Sequence, residues 1–133
     1  MILVDTSAWV EYDRATGSPV EQRLTHLIDH GGHLAVCEPI IMEVAAGART
    51  DDQEQLLRRM LSRFDLLRFD SASDFDGAAR IYRTCRRAGI TPRGMIDCMI
   101  VSVAWRHGAR LLAHDADMAR MARIVGIETD TQP

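Results

Sequence analysis

Short apolar runs alternate with amphipathic segments along nearly the whole chain. The strand candidates are Ile2–Val4, Leu34–Cys37, Leu66–Phe69 and Arg110–Ala113, with a last one near Ile127–Thr129. Between them lie helical patterns with clear ends. Ser18, Pro19, Val20 and Glu21 form a capping box with proline at the first helical position, and Gly31 closes that helix. Thr50, Asp51, Asp52 and Gln53 begin another in the same way. Gly89, Gly108 and Gly126 follow helical patterns as C-terminal stops. Antiparallel hairpins do not follow this rhythm; a mostly parallel sheet covered by helices does. The 133 residues suffice for one domain with a substantial core, and no repeat or linker divides residues 1–133.

Two helical segments carry wide apolar faces. From Gln53 to Phe64 the residues Leu56, Leu57, Met60, Leu61 and Phe64 form a stripe, for which core packing is the first expectation and a partner groove the second. From Met95 to Trp105 the chain is apolar on nearly every side, broken by Asp97 and Ser102, as in a central buried helix. Its uncharged run, Cys98 to Trp105, is far too short to span a bilayer. The N-terminus has no basic region and meets Asp5 too early for a signal peptide, so the expected location is the cytoplasm. Cys37, Cys85 and Cys98 show no paired spacing and are expected to be reduced, with Cys37 and Cys98 packing as small hydrophobes.

Several acids stand where a fold of this kind places chemistry. In a parallel sheet, ligands bind beyond the carboxyl ends of the strands. Asp5 follows the first strand, and Asp115 follows "RLLA", with Asp117 two residues on. Glu43 in "PIIMEVAAG" and Asp97 in "GMIDCMIVSVAW" interrupt apolar sequence. Each has a plain alternative. Asp5 and Asp115 can cap helices, Asp117 can favour a helix dipole, and Glu43 and Asp97 can lie on narrow wet faces. Together they are harder to explain that way. Two carboxylates about 4 Å apart repel by roughly 4 kcal/mol at an effective dielectric near 20. Converging acids need protons or a cation. An all-oxygen set suits Mg²⁺ or Mn²⁺, and zinc is disfavoured because no Cys/His cluster accompanies the acids.

Charge distribution adds a second strand of inference. The net charge is −3, which argues against a general polyanion binder, yet all sixteen basic residues are arginine. Arg80, Arg83, Arg86, Arg87 and Arg93 fall in a stretch, Gly77 to Ile96, without Asp or Glu. At helical spacing Arg80, Arg83 and Arg87 share a face that either tracks phosphates or is simply solvated. His26 and His30 stand four apart with His33 beyond, but the glutamate of a zinc-binding HExxH helix is missing, so a metal role is disfavoured. His114 adjoins Asp115 and is expected at the surface or in a structural role.

Four segments in order, "ILVDTSAWVEY", "CEPIIMEVAAG", "IYRTCRRAGITPRGMIDCMI" and "VSVAWRHGARLLAHDADM", resemble the PIN-domain family, in particular the VapC-type ribonuclease toxins of type II toxin–antitoxin systems. The likeness covers nearly the whole chain. It implies a three-layer α/β/α sandwich with a mostly parallel sheet. It assigns Asp5, Glu43, Asp97 and Asp115 to a catalytic acid site, with Asp5, Asp97, Asp115 and Asp117 as metal ligands and Glu43 either a ligand or a group positioning water. Thr6 or Ser7 corresponds to a supporting hydroxyl, and Arg93 to a residue touching substrate or a partner's acidic group. It further implies a homodimer silenced by a VapB-type antitoxin whose C-terminal segment covers the groove, with the Gln53–Phe64 stripe as a contact surface. Two departures are Ala113, where many relatives carry a hydroxyl, and Met118, where an aromatic residue is frequent.

The function expected from the residues and this resemblance is a Mg²⁺- or Mn²⁺-dependent endoribonuclease toxin, leaving a 5′-phosphate and a 3′-hydroxyl. Arg80, Arg83, Arg87 and Arg93 would hold the RNA backbone. Two rivals are a Mg²⁺-dependent phosphatase of haloacid-dehalogenase type and a non-catalytic module that binds RNA or protein. The phosphatase wants two acids as DxD after the first strand, where this chain has Asp5, Thr6 and Ser7.

Overall fold

The computed structural model describes residues 1–130. Its order is β1 (Ile2–Val4), α1 (Thr6–Asp13), α2 (Pro19–Asp29), β2 (Leu34–Val36), α3 (Glu38–Ala46), α4 (Asp51–Leu61), β3 (Asp65–Leu66), α5 (Asp74–Arg87), α6 (Met95–His107), β4 (Arg110–Leu112) and α7 (Ala116–Val125). The strands form one parallel sheet in the order β3-β2-β1-β4, with Leu3 opposite Ala35 on one side and Leu111 on the other. Helices α1 to α4 pack among themselves, as do α5 to α7, giving the three-layer α/β/α sandwich.

That strand order places the site. The chain steps outward from β1 to β3, then returns to lay β4 on the other flank of β1. The crevice beyond the carboxyl ends of β1 and β4 lies at the reversal, where open α/β sheets bind ligands. Asp5 follows β1 and Asp115 lies three residues past β4. The Asp5 amide donates to the Leu112 carbonyl at 2.8 Å, so the two strand ends are joined at that point.

Most of the expected helix ends hold. Ser18 Oγ accepts from the Glu21 amide at 3.2 Å, and Thr50 Oγ1 from the Gln53 amide at 3.0 Å. Gly108 and Gly126 close α6 and α7 at φ 63° and 84°, where a side chain would be strained. The central helix is buried as expected along Cys98, Ile100, Val101, Ser102, Val103 and Ala104, while Trp105 at its end is exposed. Of the Gln53–Phe64 stripe, Leu57 and Leu61 enter the core, and Met60 and Phe64 pack against it. Leu56 is 62% exposed and takes no part. All three cysteines are free and buried. Burial pushes the Cys37 thiol up to about 12 and the Cys98 thiol up to about 11, so both are inert packing groups.

Several boundaries differ from the sequence reading. Cys37 ends no strand; it is the extended N-cap of α3. Ala113 lies just past β4, and the Gln53 helix begins at Asp51 and ends at Leu61. The strand expected at Leu66–Phe69 is only Asp65–Leu66. Leu67 extends the pairing through its amide to the Val36 carbonyl at 2.8 Å, but the Phe69 amide goes to Glu38 Oε1 at 2.7 Å. A side-chain carboxylate has replaced the neighbouring strand as acceptor. The strand expected near Ile127–Thr129 is a single parallel bridge from Thr129 to Leu111. No helix among the described residues is long and apolar enough to cross a membrane.

Candidate active site

The site begins with the two hydroxyls after Asp5. Ser7 donates from its amide at 3.1 Å and its Oγ at 2.6 Å, both to Asp5 Oδ2. Asp5 is therefore the N-cap of α1, as its plain reading held. Its other oxygen is different. Asp5 is 4% exposed, and its Oδ1 is buried with no hydrogen-bond partner. A buried acceptor left unmade costs about 1–3 kcal/mol, more when charged. Burial pushes the Asp5 carboxyl above its ordinary range, the Ser7 hydrogen bonds oppose that, and nearby Glu43 adds to it.

Thr6 points to a different acid. Its Oγ1 donates to Glu43 Oε1 at 2.7 Å, tying the start of α1 to the middle of α3. Ser7 completes a third link: its Oγ accepts from the His114 amide at 2.9 Å. The two neighbouring hydroxyls thus divide the work. Ser7 fixes Asp5 and the loop after β4, while Thr6 fixes Glu43.

Asp97 lies in the first turn of α6 and is half-buried. Burial pushes its carboxyl up to about 6, the charges on Asp5 and Asp115 push the same way, Arg93 opposes them, and Asp117 adds a smaller upward push. Asp97 therefore feels the charges of Asp5, Asp115 and Asp117, and Asp5 in turn feels that of Glu43. Both oxygens of Asp115 are engaged. Its Oδ1 accepts from the Asp117 amide at 2.8 Å, capping α7, and its Oδ2 is held by the Arg93 guanidinium. Arg93 Nε also lies 3.4 Å from Asp117 Oδ2. Asp117 in addition bonds Arg120, which holds its carboxyl below the ordinary range.

Among the described residues, no three His, Cys, Asp or Glu side chains are set together as a metal-holding group. The donor set nonetheless fits a hard cation: all oxygens, excess negative charge, and one buried Asp5 oxygen without a partner. Asp115 is the acid that the Arg93 guanidinium engages.

The remaining sequence candidates separate. Asp74 at the start of α5 bonds Arg106 near the end of α6, so the two helices run antiparallel and Arg83 and Arg87 lie toward the Asp97 end of α6. Those two line a shallow hollow with Arg86. Arg80 instead lines a different hollow of about 560 Å³ with Trp105 and Arg106. His26 and His30 stack at 4.1 Å on an exposed helix face, and His33 pairs with Asp65 at 2.6 Å, none beside the acids. The exposed His114 ring lies 3.6 Å from Glu11. Sequence reading missed the buried Asp74, held by Ser102 Oγ at 2.8 Å and by Arg106 Nη2 at 2.8 Å. Ser102 and Arg106 fall four apart on one face of α6, a spacing from which a shared buried acid was legible.

Residues 2–124 match the PIN domain. The chain belongs to the PIN-domain family, and within it to the branch of the VapC ribonucleases. It is 46% identical over 129 residues to Ribonuclease VapC11 of Mycobacterium tuberculosis and to VapC ribonuclease Mb1587 of Mycobacterium bovis, covering 96% of both sequences in each case. Its fold is similar to that of a VapBC2 complex from Rickettsia felis bound to a promoter DNA fragment, with a TM-score of 0.75, 18% identity and 98% of each chain covered. The phosphatase reading falls with this membership.

Proposed function

We propose that this chain is a divalent-metal-dependent endoribonuclease toxin, neutralised by a VapB-type antitoxin, that works as a homodimer in the cytoplasm. The observation that carries the reading is the buried, unpartnered Oδ1 of Asp5, beside an Asp97 whose carboxyl the charges of Asp5 and Asp115 push up. Among relatives, a VapC ribonuclease name at 46% identity supports the ribonuclease activity, and the VapBC complexes among similar structures support the antitoxin partner.

Asp5, Asp97 and Asp115 would hold Mg²⁺ or Mn²⁺, with Asp117 as a further ligand. When bound, such an ion lowers the pKa of water and stabilises charge developing on a phosphoryl group. Glu43, steadied by Thr6, would be a ligand or would position the attacking water. Ser7 keeps Asp5 aimed by engaging its other oxygen. Arg83, Arg87 and Arg93 border the acid end of α6 and would grip RNA phosphates, while Arg80 would extend that grip along α5. The groove beside Glu43 is lined by Trp9, Arg49, Gln53 and Leu57, and would receive the antitoxin segment alongside the exposed Leu56. A non-catalytic module has no use for a buried Asp5 oxygen without a partner beside an Asp97 pushed up by neighbouring acids.

The test is cleavage of a structured RNA by purified protein with Mg²⁺ or Mn²⁺, with and without chelator. Chelator-sensitive cuts with 5′-phosphate ends, lost in Asp5→Asn and Asp97→Asn variants that still fold, are expected. Full activity in either pure variant, or cleavage indifferent to chelator, overturns the assignment.

A further inference from the structure

Asp115 has both oxygens engaged, and one of its partners is a cation from the same chain. Arg93 stands between α5 and α6, directly after the buried Pro92, whose ring fixes the local backbone. Its side chain is 66% exposed, yet its guanidinium reaches Asp115 and Asp117 together. A guanidinium always carries its charge and presents several donors in a rigid fork, so it can span two carboxylates. Asp5 keeps a buried oxygen with no hydrogen-bond partner. The acid set is thus split. Asp115 is paired with Arg93 and Asp117 with both Arg93 and Arg120, while Asp5 keeps one oxygen without a partner.

We propose that Arg93 is the resident counter-ion of the acid site, a latch on Asp115 and Asp117 that a divalent cation must displace before the ligand set can close. The proposal rests on the metal-site reading above. It accounts for the fact that, among the described residues, no three acids are gathered as ligands although Asp97 feels three others: Asp115 is turned to Arg93. It also gives the latch a second task. A cation that takes Asp115 releases a guanidinium at the rim of the site, where a substrate phosphate is the next available anion. Metal entry and phosphate capture are then coupled through one side chain.

Metal affinity reads this out without turnover. Mn²⁺ alone is titrated at low salt into the full-length wild type, Arg93→Gln, Arg93→Lys and Arg123→Gln, and free Mn²⁺ is followed by electron paramagnetic resonance. Arg123 lies in the last turn of α7 and serves as a charge-matched control. An ion pair of this exposure corresponds to about two- to fivefold in an equilibrium constant. Arg93→Gln should tighten Mn²⁺ by that factor, Arg93→Lys by less because an ammonium keeps the charge on the acids although it cannot fork, and Arg123→Gln hardly at all. In the wild type, the Nε–Hε resonance that vanishes in Arg93→Gln should move when Mg²⁺ alone is added. Unchanged or weaker Mn²⁺ binding in Arg93→Gln, equal tightening in Arg123→Gln, or an unmoved Arg93 resonance in Mg²⁺-saturated protein each overturns the latch while leaving the metal site standing. Failure of both wild type and Arg93→Gln to bind Mn²⁺ overturns the metal site, and the latch with it.

Discussion

Arg106 grips Asp74 with two hydrogen bonds, Nε to Oδ1 at 3.1 Å and Nη2 to Oδ2 at 2.8 Å, and so fastens the start of α5 to the end of α6. Ser102 Oγ adds a third bond at 2.8 Å, and the Asp70 amide a fourth at 2.8 Å. Asp74 is fully buried, while the Arg106 side chain is 30% exposed. Because α6 carries Asp97 at its other end, this clamp fixes the register on which the acid site depends.

Removing one partner leaves the other charge stranded. Asp74→Ala should destabilise the fold by about 3 kcal/mol, the low end for a broken buried pair because Arg106 can turn to water. A shift of the urea midpoint that corresponds to less than about 1 kcal/mol would show the clamp to be ornamental. The pH dependence has a fixed sign. Burial pushes the Asp74 carboxyl up, but its Arg106, Asp70 and Ser102 hydrogen bonds outweigh that and leave it below 3.8. The stabilisation is therefore present above pH 3.8 and lost as pH falls through the lower, folded-state value. Wild type and Asp74→Ala should converge in stability only in that acid range.

Asp97 has the opposite sign. Its carboxyl is held up to about 6, against 3.8 ordinarily. Its contribution to folding is full below 3.8 and is lost as pH rises through about 6. At neutral pH without metal, the ionised group is a burden. Asp97→Asn should therefore be more stable than wild type at pH 7.5 in chelator, by on the order of 1 kcal/mol once solvent screening of a half-buried group is allowed for. The gain should vanish near pH 4. Equal melting of the two proteins at pH 7.5 would mean that the acids do not repel as their placement implies.

Much of this was legible in sequence, for reasons specific to each residue. Asp5 and Asp115 end apolar strands, so the parallel-sheet rule put both at one edge. Asp97 broke an all-apolar helix and could not be ignored. The short β3 was not legible, because it depends on Glu38 reaching a backbone amide at Phe69, 31 residues away. Nor was the posture of Arg93. Its position next to the third acid was visible, but its choice of Asp115 over solvent is a tertiary contact between residues 22 apart. The different duties of Thr6 and Ser7 were hidden too, since adjacent residues on a helix point to different faces.

Those duties can be separated by experiment. Thr6→Val keeps the shape at Thr6 but removes the donor to Glu43, and Ser7→Ala removes both the Oγ bond to Asp5 and the acceptor for His114, leaving the Ser7 amide bond to Asp5. Losing a partner that orients a metal ligand typically costs about 10- to 100-fold in metal affinity or activity. Ser7→Ala should weaken Mn²⁺ binding by that order. Thr6→Val should lower the cleavage rate with a much smaller effect on Mn²⁺ affinity if Glu43 works on water, and should weaken both alike if Glu43 is a ligand. Single-turnover cleavage and Mn²⁺ titration on the same samples distinguish the two, and no change in either measurement would remove Glu43 from the site.

Gly77 tests how tightly α5 is seated on α6. A Cβ built there would stand 2.3 Å from Ser102 Oγ, closer than real side chains approach. That hydroxyl is buried and engaged with Asp74, so it has little freedom to yield. Gly77→Ala gains helix propensity of about 1 kcal/mol at an α5 interior position, yet overpacking typically costs about 1–3 kcal/mol. The net effect expected in urea melts is destabilisation. Adding Ser102→Ala removes the obstructing oxygen but also one bond to Asp74, so the double variant should recover part of the loss seen in Gly77→Ala. A Gly77→Ala protein more stable than wild type would mean that α5 slides on α6 without cost, and the Asp74–Arg106 clamp would then not set the position of Asp97.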